Sequence, residues 1–76
     1  MTIHEFNEIG EYIAKKTNKE TNFLTSRGKI ENEEFKYIWL VGNVCCIRYK
    51  NDNNKKAIQY KTFIGTKKYI DRCLEK

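Results

Sequence analysis

The stretch Phe35-Lys-Tyr-Ile-Trp-Leu-Val-Gly-Asn-Val-Cys-Cys-Ile-Arg-Tyr-Lys50 decides how this chain folds. Its two segments, 35–41 and 44–50, are rich in the β-branched and aromatic residues that favour strands. Only Gly42 and Asn43 separate the segments, and both residue types accept the positive φ of a type I′ or II′ turn. The stretch therefore predicts an antiparallel β-hairpin.

A two-residue turn fixes which residues lie opposite each other, because side chains alternate between the two faces of a strand. The expected pairs on one face are Val41 with Val44, Trp39 with Cys46, Tyr37 with Arg48, and Phe35 with Lys50. The other face carries Ile38, Leu40, Cys45, Ile47 and Tyr49. This second face is mainly aliphatic, and we expect it to form the core.

Amphipathic segments flank the hairpin. Residues 2–18 predict a helix, because apolar residues recur every three or four positions and Thr2 and Glu5 have the spacing of a capping box. Residues 57–64 predict a third strand. Thr66 is the expected N-cap of a C-terminal helix. Residues 19–33 are polar and form a connection, and the sequence leaves open whether residues 21–33 include an extra strand.

The element order is therefore α-β-β-β-α. It predicts a single small α+β domain over residues 1–76, with a three-stranded antiparallel sheet and both helices packed on one face. A chain of 76 residues is too short for an enzyme with separate substrate and cofactor domains. Its longest apolar run is also far shorter than the roughly 20 residues that span a membrane.

The charge is positive and unevenly distributed. The net charge is +5 at pH 7. Residues 1–34 contain five basic and seven acidic residues, which gives −2, whereas residues 35–76 contain ten basic and three acidic residues, which gives +7. The positive potential therefore belongs to the second half of the chain, and it points to an anionic partner.

Catalytic and metal-binding patterns are not recognisable in this sequence. Its single His4, its single Ser26 and its three cysteines match no nucleophile or zinc-ligand spacing. Cys45 and Cys46 are neighbours in a strand, so they point to opposite faces. We expect a non-enzymatic protein without a cofactor. The odd cysteine count and the lack of a secretory leader pattern predict a cytoplasmic location.

One predicted sheet face mixes aromatic rings with cations. Its members are Phe35, Tyr37, Trp39, Arg48, Lys50 and Lys61, with Phe63 as a further candidate. Aromatic rings interleaved with cations can stack on bases and contact phosphates. The same composition fits cross-strand packing, with Lys and Arg stems lying over the rings. It also fits a homodimer or partner interface, so three interpretations stay open.

A second candidate site is the start of the last helix. Lys67 and Lys68 fall in its predicted first turn, where free N–H groups and two ammonium groups could bind a phosphate. Lys55 and Lys56 in the preceding turn could extend this patch. The alternative is a basic turn that is simply solvated.

The segment Gly65-Thr-Lys-Lys-Tyr-Ile-Asp-Arg-Cys-Leu74, together with the element order, resembles a double-stranded-RNA-binding domain. In that family the basic start of the last helix contacts phosphates across the RNA major groove. The resemblance implies that role for Lys67 and Lys68, and for Arg72 one turn later. Where the family has a Gly-Pro-x-His loop between its first two strands, this chain has only Gly42 and Asn43.

Two functional hypotheses follow. The first is a basic binding protein that acts on nucleic acid or on a nucleoprotein complex. The second is an inhibitor from a phage or another mobile element, of the anti-CRISPR or anti-restriction type, that binds an acidic surface of a host nuclease complex. Neither hypothesis involves a membrane, and both are compatible with a homodimer.

Overall fold

The computed structural model of the protein describes residues 1–52 and 56–75. The two helices are α1 (Ile3–Thr17) and α2 (Phe63–Leu74). The strands are β1 (Thr21–Leu24), β2 (Lys29–Asn32), β3 (Phe35–Val41), β4 (Val44–Tyr49) and β5 (Ile58–Tyr60), and a short 3₁₀ helix occupies Thr25–Arg27. The strands form one antiparallel sheet in the order β1-β2-β3-β4-β5.

The prediction of a three-stranded sheet is wrong, because the described residues contain five strands. The two additional strands, β1 and β2, form a hairpin of four residues on each side. Gly28 lies between them with φ of 60°, a backbone conformation that glycine adopts readily. The carbonyl oxygen of Gly28 accepts a hydrogen bond from the Leu40 N–H at 2.7 Å, and this bond ties the added hairpin to β3.

Helix α1 begins where the sequence predicts. The Thr2 hydroxyl accepts a hydrogen bond from the Glu5 N–H, and the Glu5 carboxylate accepts one from the Thr2 N–H, at 3.2 Å and 2.9 Å. The predicted capping box is confirmed. Its apolar residues Phe6, Ile9 and Ile13 are completely buried. The helix therefore packs through the stripe that its periodicity predicts.

Helix α2 begins earlier than predicted, and Thr66 is not its N-cap. The Thr62 hydroxyl caps the helix by accepting a hydrogen bond from the Gly65 N–H at 3.1 Å. Thr66 is buried instead, and its hydroxyl donates to the Thr62 carbonyl oxygen at 2.9 Å. The third predicted strand is shortened to β5, because its last two residues, Phe63 and Ile64, are helical. The earlier start adds one turn, so that Thr66 lies against the core.

The register of the central hairpin is confirmed for three of the four predicted pairs, from Val41 with Val44 to Tyr37 with Arg48. The register then shifts at a bulge between Phe35 and Tyr37. Phe35 therefore lies opposite Tyr49, whereas the sequence predicted Lys50. A bulge places an extra residue in one strand, so the alternation of faces is lost at that point.

Both helices contact the same face of the sheet, which we call the inner face: α1 packs on β1 and β2, and α2 packs on β4 and β5. The core lies between these two layers. It contains Phe6, Ile9, Ile13, Ile30, Phe35, Ile38, Cys45, Ile47, Tyr69 and Ile70. Neither helix covers the opposite, outer face. No helix in residues 1–52 and 56–75 has the length and apolarity needed to cross a membrane.

Candidate nucleic-acid interface

The outer face of the sheet carries two exposed aromatic side chains. Tyr37 and Trp39 are two residues apart on β3, so they point to the same side, and they are 39% and 42% exposed. On β4, Arg48 lies opposite Tyr37, and Cys46 lies opposite Trp39. The structure thus brings three of the predicted site residues, Tyr37, Trp39 and Arg48, onto one surface.

Phe35 and Lys50, which were predicted on the same surface, lie elsewhere. Phe35 is 2% exposed and packs edge-on against Tyr49, with ring centroids 5.4 Å apart. The Lys50 ammonium is 3.0 Å from the Glu34 carboxylate, which also binds Lys19 at 2.8 Å. The hydrogen bonds from Lys19 and Lys50 lower the pKa of Glu34. Lys50 therefore belongs to an ion-pair cluster, and Phe35 belongs to the core.

Lys29 of β2 is a member of the outer face that the sequence prediction missed. It lies opposite Trp39, and its Nζ is 5.3 Å from the centroid of the Trp39 ring. The same Nζ is 3.4 Å from Oε2 of Glu31. Sequence reasoning placed residues 19–33 in a connection. The polar-apolar-polar alternation of Lys29-Ile30-Glu31 is the signal that indicates a strand here.

A shallow pocket opens on the outer face between β2 and β3, and we call it the β2–β3 pocket. Its lining includes Lys29, Glu31, Lys36, Tyr37 and Trp39. The register between these two strands shifts at this point, and such irregularities twist the sheet locally. The pocket therefore brings the rings of Tyr37 and Trp39 together with two ammonium groups and one carboxylate, and the buried Ile30 and Phe35 also line it.

Arg48 adds a guanidinium group next to Tyr37. Its Nε is buried, and no residue of the described structure accepts a hydrogen bond from it. A buried donor without an acceptor costs about 1–3 kcal/mol. With Lys29 and Lys36, Arg48 places three cations around Tyr37 and Trp39, and Glu31 lies beside them. Glu20 and Glu33 line a neighbouring pocket together with Glu31.

The cations of α2 are arranged differently from the prediction. Because α2 begins at Phe63, Lys67 and Lys68 lie in its second turn and not beside free N–H groups. The Lys67 ammonium lies over the Tyr12 ring of α1, 4.7 Å from its centroid, so it belongs to the helical layer. Lys68 is exposed, and Arg72 donates a hydrogen bond to the Tyr60 hydroxyl at 3.3 Å. The predicted placement of Lys67 and Lys68 in the first turn is therefore wrong, and their role in binding a phosphate stays a prediction.

The remaining predicted cations flank β5. Lys56 and Lys61 are exposed, one before and one after this strand. Lys55 lies outside the described residues, so its part in a basic patch stays a prediction. These residues belong to the edge of the sheet, whereas Tyr37 and Trp39 belong to β3.

Cys45 and Cys46 of β4 lie on opposite faces of the sheet, as the alternation predicts. Cys45 is buried in the core, and burial raises the pKa of its thiol to about 12. This thiol is therefore protonated at neutral pH. In the described part of the chain, no group of three or more His, Cys, Asp or Glu side chains is placed to hold a metal ion.

A scan against protein-family models and searches of curated proteins and of solved structures found no match to this chain. The resemblance to a double-stranded-RNA-binding domain therefore stays a prediction. The geometry of the outer face is the basis for the function proposed below.

Proposed function

We propose that this protein binds single-stranded nucleic acid through the outer face of its sheet. One observation carries the proposal: Tyr37 and Trp39 lie exposed and side by side on a sheet face that neither helix covers. Stacking of a base on an aromatic side chain contributes about 1–3 kcal/mol and tolerates any base, because every base has a π-face.

The spacing of the two rings supports one base on each ring. Residues two apart on a strand are separated by about 6.6–6.8 Å. Tyr37 and Trp39 therefore offer two separate stacking positions along β3. A strand of nucleic acid that follows β3 would place its phosphates next to the cations on either side, which are Lys29 and Lys36 at the β2–β3 pocket and Arg48 on β4.

The charge of the protein supports an anionic ligand. The net charge is +5, and Lys29, Lys36 and Arg48 lie around the two rings, with Glu31 beside Lys29. Single strands are favoured over duplexes because their bases are free to stack on side chains. The duplex mode that the family resemblance implies requires lysines at the start of α2, and Lys67 and Lys68 lie one turn further on.

Fluorescence anisotropy of labelled oligo-U and oligo-dT, at about 50 and about 200 mM salt, tests the proposal. We expect saturable binding that weakens steeply with salt. Trp39→Ala should weaken binding about 5- to 150-fold, which corresponds to the stacking energy of one base. The fold should survive this change, because Trp39 is 42% exposed and lies outside the hydrophobic core.

A matched pair of charge reversals locates the surface. Lys36→Glu, at the β2–β3 pocket, should weaken binding, whereas Lys68→Glu, on α2, should leave it nearly unchanged. The two variants have the same net charge, so a general charge effect would weaken both equally. Lack of binding by the wild-type protein at low salt would refute the proposal. The inhibitor hypothesis, in which the partner is a protein, would then be the better explanation.

A further inference from the structure

The Trp39 ring, on which the proposed function depends, is already in contact with a cation of the protein. The Lys29 ammonium lies over this ring, 5.3 Å from its centroid. Glu31, two residues along β2, points to the same face and holds the ammonium at 3.4 Å. All three side chains line the β2–β3 pocket. The position of Lys29 is therefore determined by two partners, an aromatic ring and a carboxylate.

A base and an ammonium group cannot occupy the same side of one ring. Stacking a base on the covered side of Trp39 therefore requires Lys29 to move. Lys29 and Glu31 are partly exposed, and ion pairs of this kind are weak. The contacts that place the ammonium over the ring are therefore weak enough for a ligand to compete with them.

We propose that Lys29 and Glu31 form a displaceable cover on Trp39, and that Glu31 limits the affinity of the site for single-stranded nucleic acid. On binding, a base takes the place of the ammonium on the ring, and Lys29 leaves Glu31 to contact a phosphate. This inference rests on the proposed function. It assigns Glu31 a positioning role that acts through Lys29.

The isosteric variant Glu31→Gln, which removes one negative charge, releases Lys29 from its carboxylate partner. We expect this variant to bind oligo-U about two- to five-fold more tightly than the wild type, the factor that corresponds to an exposed ion pair. Glu11→Gln is the matched control, because Glu11 is exposed on α1 in the helical layer and its substitution changes the net charge equally. Affinity gained equally by both variants would overturn the inference.

A double-mutant cycle separates an effect through Lys29 from plain repulsion between Glu31 and a phosphate. In a Lys29→Met background, the gain from Glu31→Gln should disappear, because no ammonium is left to release. The same gain in both backgrounds would show through-space repulsion and overturn the inference. Lys29→Met alone should also reduce the slope of log affinity against log salt by about 0.7, since one phosphate contact is lost.

The two proposals fail in different ways. Lack of wild-type binding to oligo-U and oligo-dT at low salt would overturn the proposed function, and the inference with it. Normal wild-type binding combined with equal affinities for Glu31→Gln and Glu11→Gln would overturn the inference alone. Thermal unfolding of each variant, followed by circular dichroism, verifies that the compared proteins are folded.

Discussion

Helix α1 packs against the β1–β2 hairpin at Gly10, and replacement of Gly10 by alanine tests that packing. A Cβ atom at this position would lie 2.5 Å from Cε2 of Phe23 and 2.6 Å from Cδ1 of Ile30. Real Cβ contacts essentially never fall below 3.0 Å. Gly10→Ala therefore forces α1 away from the hairpin or forces both side chains to move.

The expected cost follows from how freely the two neighbours can move. The Phe23 side chain is 39% exposed and can turn outward, but Ile30 is 2% exposed and fixed in the core. Overpacking of this kind costs about 1–3 kcal/mol. Alanine regains about 1 kcal/mol because it favours a helix more than glycine does. We expect a net loss of about 1–2 kcal/mol, which lowers the melting temperature by about 4–16 °C.

Urea and thermal unfolding of Gly10→Ala, followed by circular dichroism, measure this loss. The matched second variant is Ile30→Val, which removes the Cδ1 atom that lies 2.6 Å from the new methyl group and alone costs about 0.5–1.5 kcal/mol. In the Gly10→Ala background, this second substitution should cost less, with a coupling energy above about 0.5 kcal/mol. A Gly10→Ala protein as stable as the wild type, or additive effects of the two changes, would refute the packing of α1 on β1 and β2.

Three further predictions concern stability. Glu34→Gln should lower the free energy of unfolding by about 1 kcal/mol at neutral pH. Because two lysines lower the pKa of Glu34 in the folded state, this contribution is complete above the ordinary glutamate pKa and is lost as pH falls through the lowered value. Urea unfolding should therefore show the variant and the wild type converging in acid, and a constant difference would contradict the assignment. Tyr69→Phe should lower the free energy of unfolding by about 1–3 kcal/mol. The Tyr69 hydroxyl accepts a hydrogen bond from the Tyr49 N–H at 2.9 Å, and the change leaves that donor unpaired. Urea unfolding measures this loss, and a neutral effect would show that water replaces the hydroxyl. Thr62→Ala should lower the free energy of unfolding by about 0.5–2 kcal/mol, because the Gly65 N–H loses its cap. Thr62→Ser keeps a hydroxyl and should be nearly neutral. Equal stability of both variants would place the helix start elsewhere.

The sequence predicts the elements whose signals are strong and local. The central hairpin has two long apolar runs around a two-residue turn, and its register is confirmed from Val41 to Tyr37. The capping box at Thr2 is confirmed because its two hydrogen bonds involve residues only three positions apart. Such features depend on neighbouring residues, which the sequence displays directly.

The features that the sequence does not predict depend on contacts between distant residues. Each strand of the first hairpin has only four residues, and Phe23 and Ile30 acquire a clear role only once α1 packs on them. Tertiary packing likewise sets the bulge that points Phe35 toward the core and the helix start at Thr62. In the candidate site, too, local signals are predicted and contacts between distant residues are not. Tyr37, Trp39 and Arg48 are predicted, whereas the place of Lys29 over Trp39 requires the missed hairpin.

The emission of Trp39 measures the central claim most directly, because the chain contains a single tryptophan. The experiment titrates the protein with oligo-U, and in parallel with inorganic polyphosphate, a polyanion that has no bases. We predict that oligo-U quenches the emission saturably, with the same midpoint as the anisotropy titration, and that polyphosphate leaves it nearly unchanged. Binding of oligo-U that leaves the emission of Trp39 unchanged, or equal quenching by both ligands, would contradict base stacking on the outer face.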